Sequence, residues 1–280
     1  MRTIKSPITS ILHYAFFAIF FLQSFTAFGQ GSAMEPAKLK AIYTLEWQED
    51  SLNPYHIREE RFVLLLGMHH SIFKSYKFYY HASVSRVNPN ITIQEFIQRN
   101  PPRAAHLFHI NKNFLNQQIT TFDRVFLDSF VYTIPKDKIQ WELTEETGEI
   151  LGYSVQKATT QFGGREWEAW FTHEIPHGDG PYKFSGLPGL ILKIQDTRKH
   201  FVFEIESISP STETIYMRRK SSAIGTTKAQ FIEAEAKFRR NAINIILSSN
   251  RPLHESFHRD TKRIEENLRR MNNPIMLRAE

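Results

Sequence analysis

Gly186-Leu187-Pro188-Gly189-Leu190-Ile191-Leu192 decides how the rest of the chain is read. Proline fixes its own φ near −65°, and glycine takes φ > 0 without a Cβ clash. Pro188-Gly189 therefore reads as the centre of a type II turn. Leu190-Ile191-Leu192-Lys193-Ile194 leaves that turn as a strand. Upstream, residues 172–188 carry three Gly, three Pro and two aromatics between two strands. Proline lowers the entropy lost when a long segment is ordered, so this loop can be fixed. It reads either as an Ω-type plug packed by Tyr182, Phe184 and Leu187, or as the rim of a binding surface.

Strand signals lie on both sides. In 39–47, Leu39, Ala41, Tyr43, Leu45 and Trp47 share one face. Residues 61–66 and 71–76 form a pair turning near Gly67. Residues 106–110 read as a short strand, and 120–133 as a pair with a turn or bulge at Asp128-Ser129. A meander follows: 139–143, a turn at Glu146-Thr147-Gly148-Glu149, 150–161, a turn at Gly163-Gly164, then 166–172. After the opening stretch, 200–208 alternates and pairs back on 190–196. Residues 30–36 read as a flexible lead-in and 77–113 as a variable insertion. Within that insertion Thr92 and Glu95 form a capping box for a short helix. One helix is strongly marked, 227–247. Phe231, Ala234, Phe238, Ala242, Ile245 and Ile246 line one stripe, and Thr227 with Gln230 caps the start. Residues 251–280 form a charged tail. The expected fold is mainly β (α+β): a strongly curved antiparallel sheet or open barrel with a packed C-terminal helix.

Several motifs recur in a fixed order: Trp141-Glu142-Leu143, Gly152 through Ala158, Ala169 through Thr172, Glu174-Ile175-Pro176, Gly180 through Phe184, and Gly186 through Ile191. In this they resemble the GLPGLI family, exported bacterial proteins named for that signature. Gly67, Ser71-Ile72-Phe73 and Asn273-Pro274-Ile275 fit the same pattern. The resemblance implies export and a single domain over 30–280. It implies no reaction, because the family has no established biochemical activity, and it suggests an accessory role beside outer-membrane transport systems.

The N-terminus agrees with export. Arg2 and Lys5 precede an apolar run over 11–28, and Ala27-Phe28-Gly29 supplies small residues for cleavage after Gly29. This is the layout of a secretory signal peptide over 1–29; an uncleaved membrane anchor is the alternative. The expected location is the periplasm or outer membrane of a Gram-negative envelope. The 280 residues include no cysteine. That excludes disulfides, a lipid-modified cysteine, thiol catalysis and Cys-bound metal. With 35 basic and 29 acidic residues, two of the basic ones in the leader, the remaining charge is about +4. It is dispersed, and the longest basic run, Arg218-Arg219-Lys220, has no interleaved aromatics. Nucleic-acid binding is not expected.

Chemical motifs are sparse. His173-Glu174-Ile175-Pro176-His177 matches the letters of a zinc-peptidase helix. However, Pro176 and the following Gly178-Asp179-Gly180-Pro181 forbid the helix that would bring both histidines to one metal. His69 and His70 are adjacent in a strand and point to opposite faces. Ser185 lacks the strand-to-helix elbow of a nucleophile. No catalytic residue, metal site or cofactor is assigned. The expected function is a non-enzymatic binding or accessory module of the envelope. Its loop would contribute His173, Glu174, His177, Asp179, Tyr182, Phe184, Leu187 and Pro188 to a periplasmic or outer-membrane protein partner, or to an apolar ligand. The alternatives are a lipid or lipoprotein carrier using the concave sheet, and a hydrolase with an unrecognised site. Oligomeric state is not specified by these patterns.

Overall fold

The computed structural model describes residues 32–99, 104–248, 262, 265–266 and 268–277. The leader over 1–29 lies outside them, as does most of the tail. The strands are β1 (Ser32–Pro36), β2 (Leu39–Gln48), β3 (Ile57–Leu66), β4 (His70–Ser75), β5 (His109–Asn113), β6 (Gln118–Val125), β7 (Asp128–Pro135), β8 (Glu142–Ile150), β9 (Tyr153–Phe162), β10 (Arg165–Thr172), β11 (Leu190–Asp196), β12 (Phe201–Pro210), β13 (Thr214–Met217) and β14 (Ile224–Gly225). The helices are α1 (Tyr76–Val87), α2 (Ile93–Gln98) and α3 (Lys228–Ser248). Among the described residues no helix is long and apolar enough to cross a membrane.

One sheet has the order β14-β7-β6-β5-β4-β3-β2-β12-β11-β10-β9-β8, and β1 pairs with β13 in a second. All pairings are antiparallel except β14 with β7. Twelve strands laid flat would span about 50 Å at the usual spacing. Yet one apolar cluster takes side chains from β2–β7 and β9–β12 together. Only strong curvature lets strands so far apart share a core. The sheet is open, and it is mainly β with the C-terminal helix packed on it, as the sequence patterning predicts. Alternation sets the inner face. Tyr43 and Leu45 of β2, Phe62 and Leu64 of β3, Phe73 of β4 and Phe203 of β12 are all fully buried there. A smaller cluster on the outer face (Val63, Leu65, Ile72, Ile215) is covered by Tyr76 and Tyr79 of α1 and Met217 of β13.

Helix α3 docks on β6–β7. Phe231 packs against Tyr132 at 5.4 Å and Phe130 at 6.0 Å, and Phe238 stacks on Phe126 at 5.5 Å. Its capping box forms as the sequence predicts: Thr227 N donates to Gln230 Oε1 at 3.1 Å and Gln230 N to Thr227 Oγ1 at 3.2 Å. The helix breaks its φ/ψ at Asn241. The box on α2 also forms, with Thr92 N donating to Glu95 Oε2 at 2.8 Å.

Several expectations are corrected. Residues 32–36 form β1 rather than a lead-in, and the insertion contains α1, whose start is capped by Ser75. β5 begins at His109, so His106 lies before it. The β6–β7 turn sits at Phe126-Leu127, where Phe126 has φ 56°. β8 continues through Glu146-Thr147-Gly148-Glu149, with a register shift against β9 between Leu143 and Thr147, and turns at Leu151-Gly152, both left-handed (φ 52° and 80°).

The organising stretch is also revised. Gly189 is not among the residues with positive φ; Gly186 is, at 103°. Gly189 is needed for a different reason. A Cβ built on it would lie 1.9 Å from the carbonyl oxygen of Thr172. The start of β11 therefore presses directly on the end of β10. Gly189→Ala is expected to cost about 1–3 kcal/mol through overpacking against backbone that cannot yield. A urea midpoint equal to that of the unsubstituted chain would contradict this close approach.

Candidate functional site

Loop 173–189 enters the hollow of the sheet and fills it. Tyr182, Phe184 and Leu187 are buried, Phe184 completely. Phe184 contacts Trp167 at 4.7 Å and Phe162 at 5.8 Å, and Tyr182 meets Phe108 at 5.2 Å and stacks near Phe203 at 6.3 Å. Backbone bonds tie the loop to its own ends: Gly186 N to Gly178 O at 3.0 Å, and Ile191 N to Asp179 O at 2.9 Å. Two inward-pointing side chains of the sheet hold it from outside. Tyr43 OH donates to Ile191 O at 2.7 Å. The Lys112 ammonium of β5 donates to Asp179 Oδ1 at 2.5 Å, Gly180 O at 2.7 Å and Phe184 O at 2.9 Å. Lys112 and Asp179 are both 0% exposed.

A second buried lysine lies at the loop tip. Tyr182 adopts a left-handed φ of 52°, uncommon for a bulky side chain. Lys183 follows it and donates to Tyr132 OH and Tyr182 OH, each at 2.7 Å, and to Met276 Sδ at 2.9 Å. Beside this cluster lies a cavity of about 240 Å³. β6, β7 and the turn between them give it Asp123, Tyr132 and Phe126; the loop gives Tyr182; α3 gives Phe231 and Glu235. His106, Trp47 and residues 273–276 close other sides.

The cavity's last wall is a strap, residues 273–277, held to the sheet chiefly by Arg165. Arg165 of β10 donates from Nη1 to Asp196 Oδ2 at 2.9 Å. From Nη2 it reaches Asn273 Oδ1 at 2.6 Å and Pro274 O at 2.7 Å, and from Nε it reaches Ile275 O at 3.2 Å. Asn273 Nδ2 donates to Gln48 O at 2.7 Å, and Leu277 N to Gly163 O at 2.8 Å.

The charges on this wall are not equivalent. Glu49 is paired with Arg58 at 3.0 Å, and Glu235 with Arg239 at 2.5 Å. His106 Nδ1 lies 3.3 Å from Glu60, a carboxylate that also accepts from the backbone N–H of residues 105 and 106. Among the described residues Asp123 has no salt-bridge partner, and only the backbone N–H of Arg124 donates to it, at 2.8 Å. Burial raises the Asp123 carboxyl to about 7, with Glu235 pushing the same way. Burial lowers the Lys183 ammonium to about 7, helped by Lys228 and opposed by Asp123 and Glu235. Burial also raises the Tyr132 and Tyr182 phenols, so both stay protonated.

This pair gives stability a characteristic pH dependence. A carboxyl raised on folding binds more protons folded than unfolded, so its contribution is lost as pH rises from about 4 toward 7. A lysine lowered on folding binds fewer, so stability recovers as pH rises from about 7 toward 10. The expected thermal-unfolding profile has a minimum near neutrality. Asp123→Asn should remove the acidic limb and Lys183→Met the alkaline one. A flat wild-type profile between these limits would contradict the assignment.

The loop residues singled out from sequence separate into two groups. His173, Glu174 and Pro188 are exposed and His177 is half-buried. Glu174 accepts from Ser154 N at 2.8 Å, and His173 Nε2 lies 3.2 Å from Gln156 Oε1. Asp179, Phe184 and Leu187 are buried in contacts within the fold, so they offer no surface to a partner at a rim. Tyr182, although 4% exposed, borders the cavity. The segment 173–177 is not helical, and among the described residues no group of three or more His, Asp or Glu is placed to hold a metal ion. Sequence reasoning missed Asp123, Tyr132, Lys183 and Arg165. The available signal was Lys183 itself, a lone cation between two aromatics in a motif-bearing loop.

Residues 162–193 match the family model described as "Protein of unknown function (Porph_ging)". That segment includes Arg165, Asp179, Tyr182 and Lys183. No curated protein matches the chain. Among solved structures, PNGF-II is similar in two crystal forms, in space groups P21 and C2. Both are 16% identical over 72% of this chain, with TM-scores of 0.49 and 0.48. They are matched over 34% and 33% of their own length, so this chain spans about a third of them.

Proposed function

We propose that this chain is an exported cell-envelope protein of the GLPGLI type that binds a small ligand in the cavity beside Tyr182. The ligand has an apolar body and a polar head. The observation that carries this reading is the cavity wall. Aromatic faces of Trp47, Phe126, Phe231 and Tyr182 surround one unpaired carboxyl, Asp123, and two phenols backed by a buried ammonium. Ligand sites are typically concave, mostly apolar, and oriented by a few such polar groups.

The loop has a different part from a recognition rim. Its aromatics fill the hollow, and Tyr182 with Lys183 forms the cavity floor. The same filling weighs against a carrier that stores acyl chains inside the sheet, because Tyr43, Phe62, Phe73, Tyr182 and Phe184 occupy that space. The cavity volume is also below the roughly 300–1,000 Å³ of drug-sized pockets. A hydrolytic reading has one observation in its favour: Asp123 titrates near neutrality at a cavity wall. Against it, Lys183 is fully buried and its three protons are already shared out, so it cannot touch a substrate.

The test is mass spectrometry of small molecules extracted from protein purified out of the envelope fraction. One species at close to one equivalent is expected from wild type, and a marked loss from Phe231→Trp, which fills the cavity. Protein that is recovered in the cytoplasm contradicts export. Protein that carries nothing, or carries the same species after Phe231→Trp, contradicts the site.

A further inference from the structure

On the face of the sheet opposite the core, three basic side chains stand together without an ion-pair partner among the described residues. Lys74 of β4 stands opposite His109 of β5, and His109 stands opposite Phe122 of β6. Side chains paired this way on one face lie about 5 Å apart. The Arg218 guanidinium sits 4.9 Å from the centre of the Phe122 ring, and the His109 and Phe122 rings are 6.2 Å apart. Arg218 is oriented by two hydroxyls, Ser222 Oγ at 3.1 Å and Ser129 Oγ at 3.5 Å. Lysine, imidazole and Phe122 thus follow one another along a single cross-strand row, and the guanidinium lies over the Phe122 ring at its end. All three basic residues are half-buried, with His109 Nε2 itself covered.

Several other cations removed from water have acidic partners, although Lys183 has only phenols and a thioether. Lys112 has Asp179, Arg165 has Asp196, and Lys157 has Glu146 and Glu168. Among the described residues no carboxylate forms an ion pair with Lys74, His109 or Arg218. The acid of that region, Glu213, is already engaged by Tyr79 OH at 2.6 Å, Lys40 at 3.2 Å and Arg86 at 3.4 Å. Among the described residues the buried His109 Nε2 has no hydrogen-bond partner, although the Asn111 side chain lies beside the ring. A buried polar nitrogen left unpaired among uncompensated cations is costly in a folded protein.

We propose that this row is an oxyanion site, in which Lys74, His109 and Arg218 together grip one phosphate group. The spacing lets neighbouring donors reach oxygens of the same anion at about 2.8 Å each. The anion supplies the acceptor that His109 Nε2 lacks and the counter-charge that the two cations lack. Burial and the neighbouring cations hold the free imidazole down at about 3 and Lys74 at about 8, the direction that a bound anion reverses. The phosphate belongs either to a phospholipid headgroup or to a soluble phosphate compound; the recognition chemistry is the same. The site is independent of the cavity, which opens on the other face.

Two titrations test it, on the protein lacking residues 1–29. The first follows inorganic phosphate by calorimetry, with chloride adjusted to constant ionic strength. The second follows co-sedimentation with vesicles of equal parts phosphatidylglycerol and phosphatidylcholine, against phosphatidylcholine alone. Saturable 1:1 phosphate binding is expected, weakened at least tenfold by Lys74→Gln and by Arg218→Gln and unchanged by Lys193→Gln. Selective binding to the anionic vesicles, lost in the same two variants, identifies a lipid headgroup as the source; phosphate binding without vesicle binding identifies a soluble one. If the variants misfold, the wild-type ring-nitrogen resonances of His109, assigned through His109→Gln, are expected to move on phosphate addition. No saturable binding in either titration, unmoved His109 resonances, or equal affinity in folded Lys74→Gln and Arg218→Gln proteins would overturn the proposal.

Discussion

Asp179→Ala is expected to destabilise the protein by about 3–5 kcal/mol, because it strands a buried ammonium. Removing one partner of a buried ion pair costs on this scale. Lys112 would keep only the carbonyls of Gly180 and Phe184, at 2.7 and 2.9 Å, with no exposure to water. Adding Lys112→Met removes the stranded charge, so the double variant should be more stable than Asp179→Ala alone. The coupling read from urea denaturation of the four proteins should then be several kcal/mol. Additive losses, or a single-variant loss under about 1 kcal/mol, would mean that the pair does not anchor the loop.

Arg165→Met should have an effect of similar size, about 3–5 kcal/mol, for two separable reasons. It leaves Asp196, 2% exposed, with only the Phe201 N–H at 2.8 Å as compensation. It also cuts every side-chain bond from β10 to residues 273–275. The second effect is visible locally. The Leu277 amide, bonded to Gly163 O in the native protein, should exchange with solvent far faster in Arg165→Met than amides in the centre of β10. Equal acceleration at both places would mean that the strap and the sheet unfold as one unit. A stability within about 1 kcal/mol of wild type would contradict the buried pair.

These two contacts explain what the sequence could and could not show. Strands with one buried and one solvated face were legible. In β2 and β12 the alternation of Tyr43, Leu45, Phe201 and Phe203 encodes the sheet's inner face residue by residue. Local side-chain chemistry was legible too, as the Thr227–Gln230 and Thr92–Glu95 boxes form as expected. Signals failed where no burial contrast exists. β8 is an exposed edge rich in Glu, so Glu146 to Glu149 resembles a turn although it continues the strand. The true turn begins at Leu151, a residue type that rarely marks φ > 0. The aromatics of α1, Tyr76, Phe78, Tyr79 and Tyr80, favour strands locally, and packing on β3 and β4 overrides that preference.

The cavity was invisible for a different reason. Asp123 and Lys183 are ordinary residues on a strand and a loop. Their titration is shifted because α3 and the strap, more than forty residues along the chain from Lys183, close over them. Lys112 likewise sits in a short polar strand, His109-Ile110-Asn111-Lys112-Asn113, whose inward side is known only once the register is set. Gly189 shows the same limit within the signature. Its residue type is consistent with either a positive φ or a close approach, and only the meeting of β10 with β11 selects the second.

The most direct test of the central claim is a crystal structure of the protein purified from the envelope without added ligand. The expected result is continuous non-protein density in the cavity between Asp123, Tyr132, Tyr182, Phe231 and Met276, with its polar end toward Asp123. Ordered water alone in that space, or Phe231 and Tyr182 collapsed into it, would contradict a ligand-binding role.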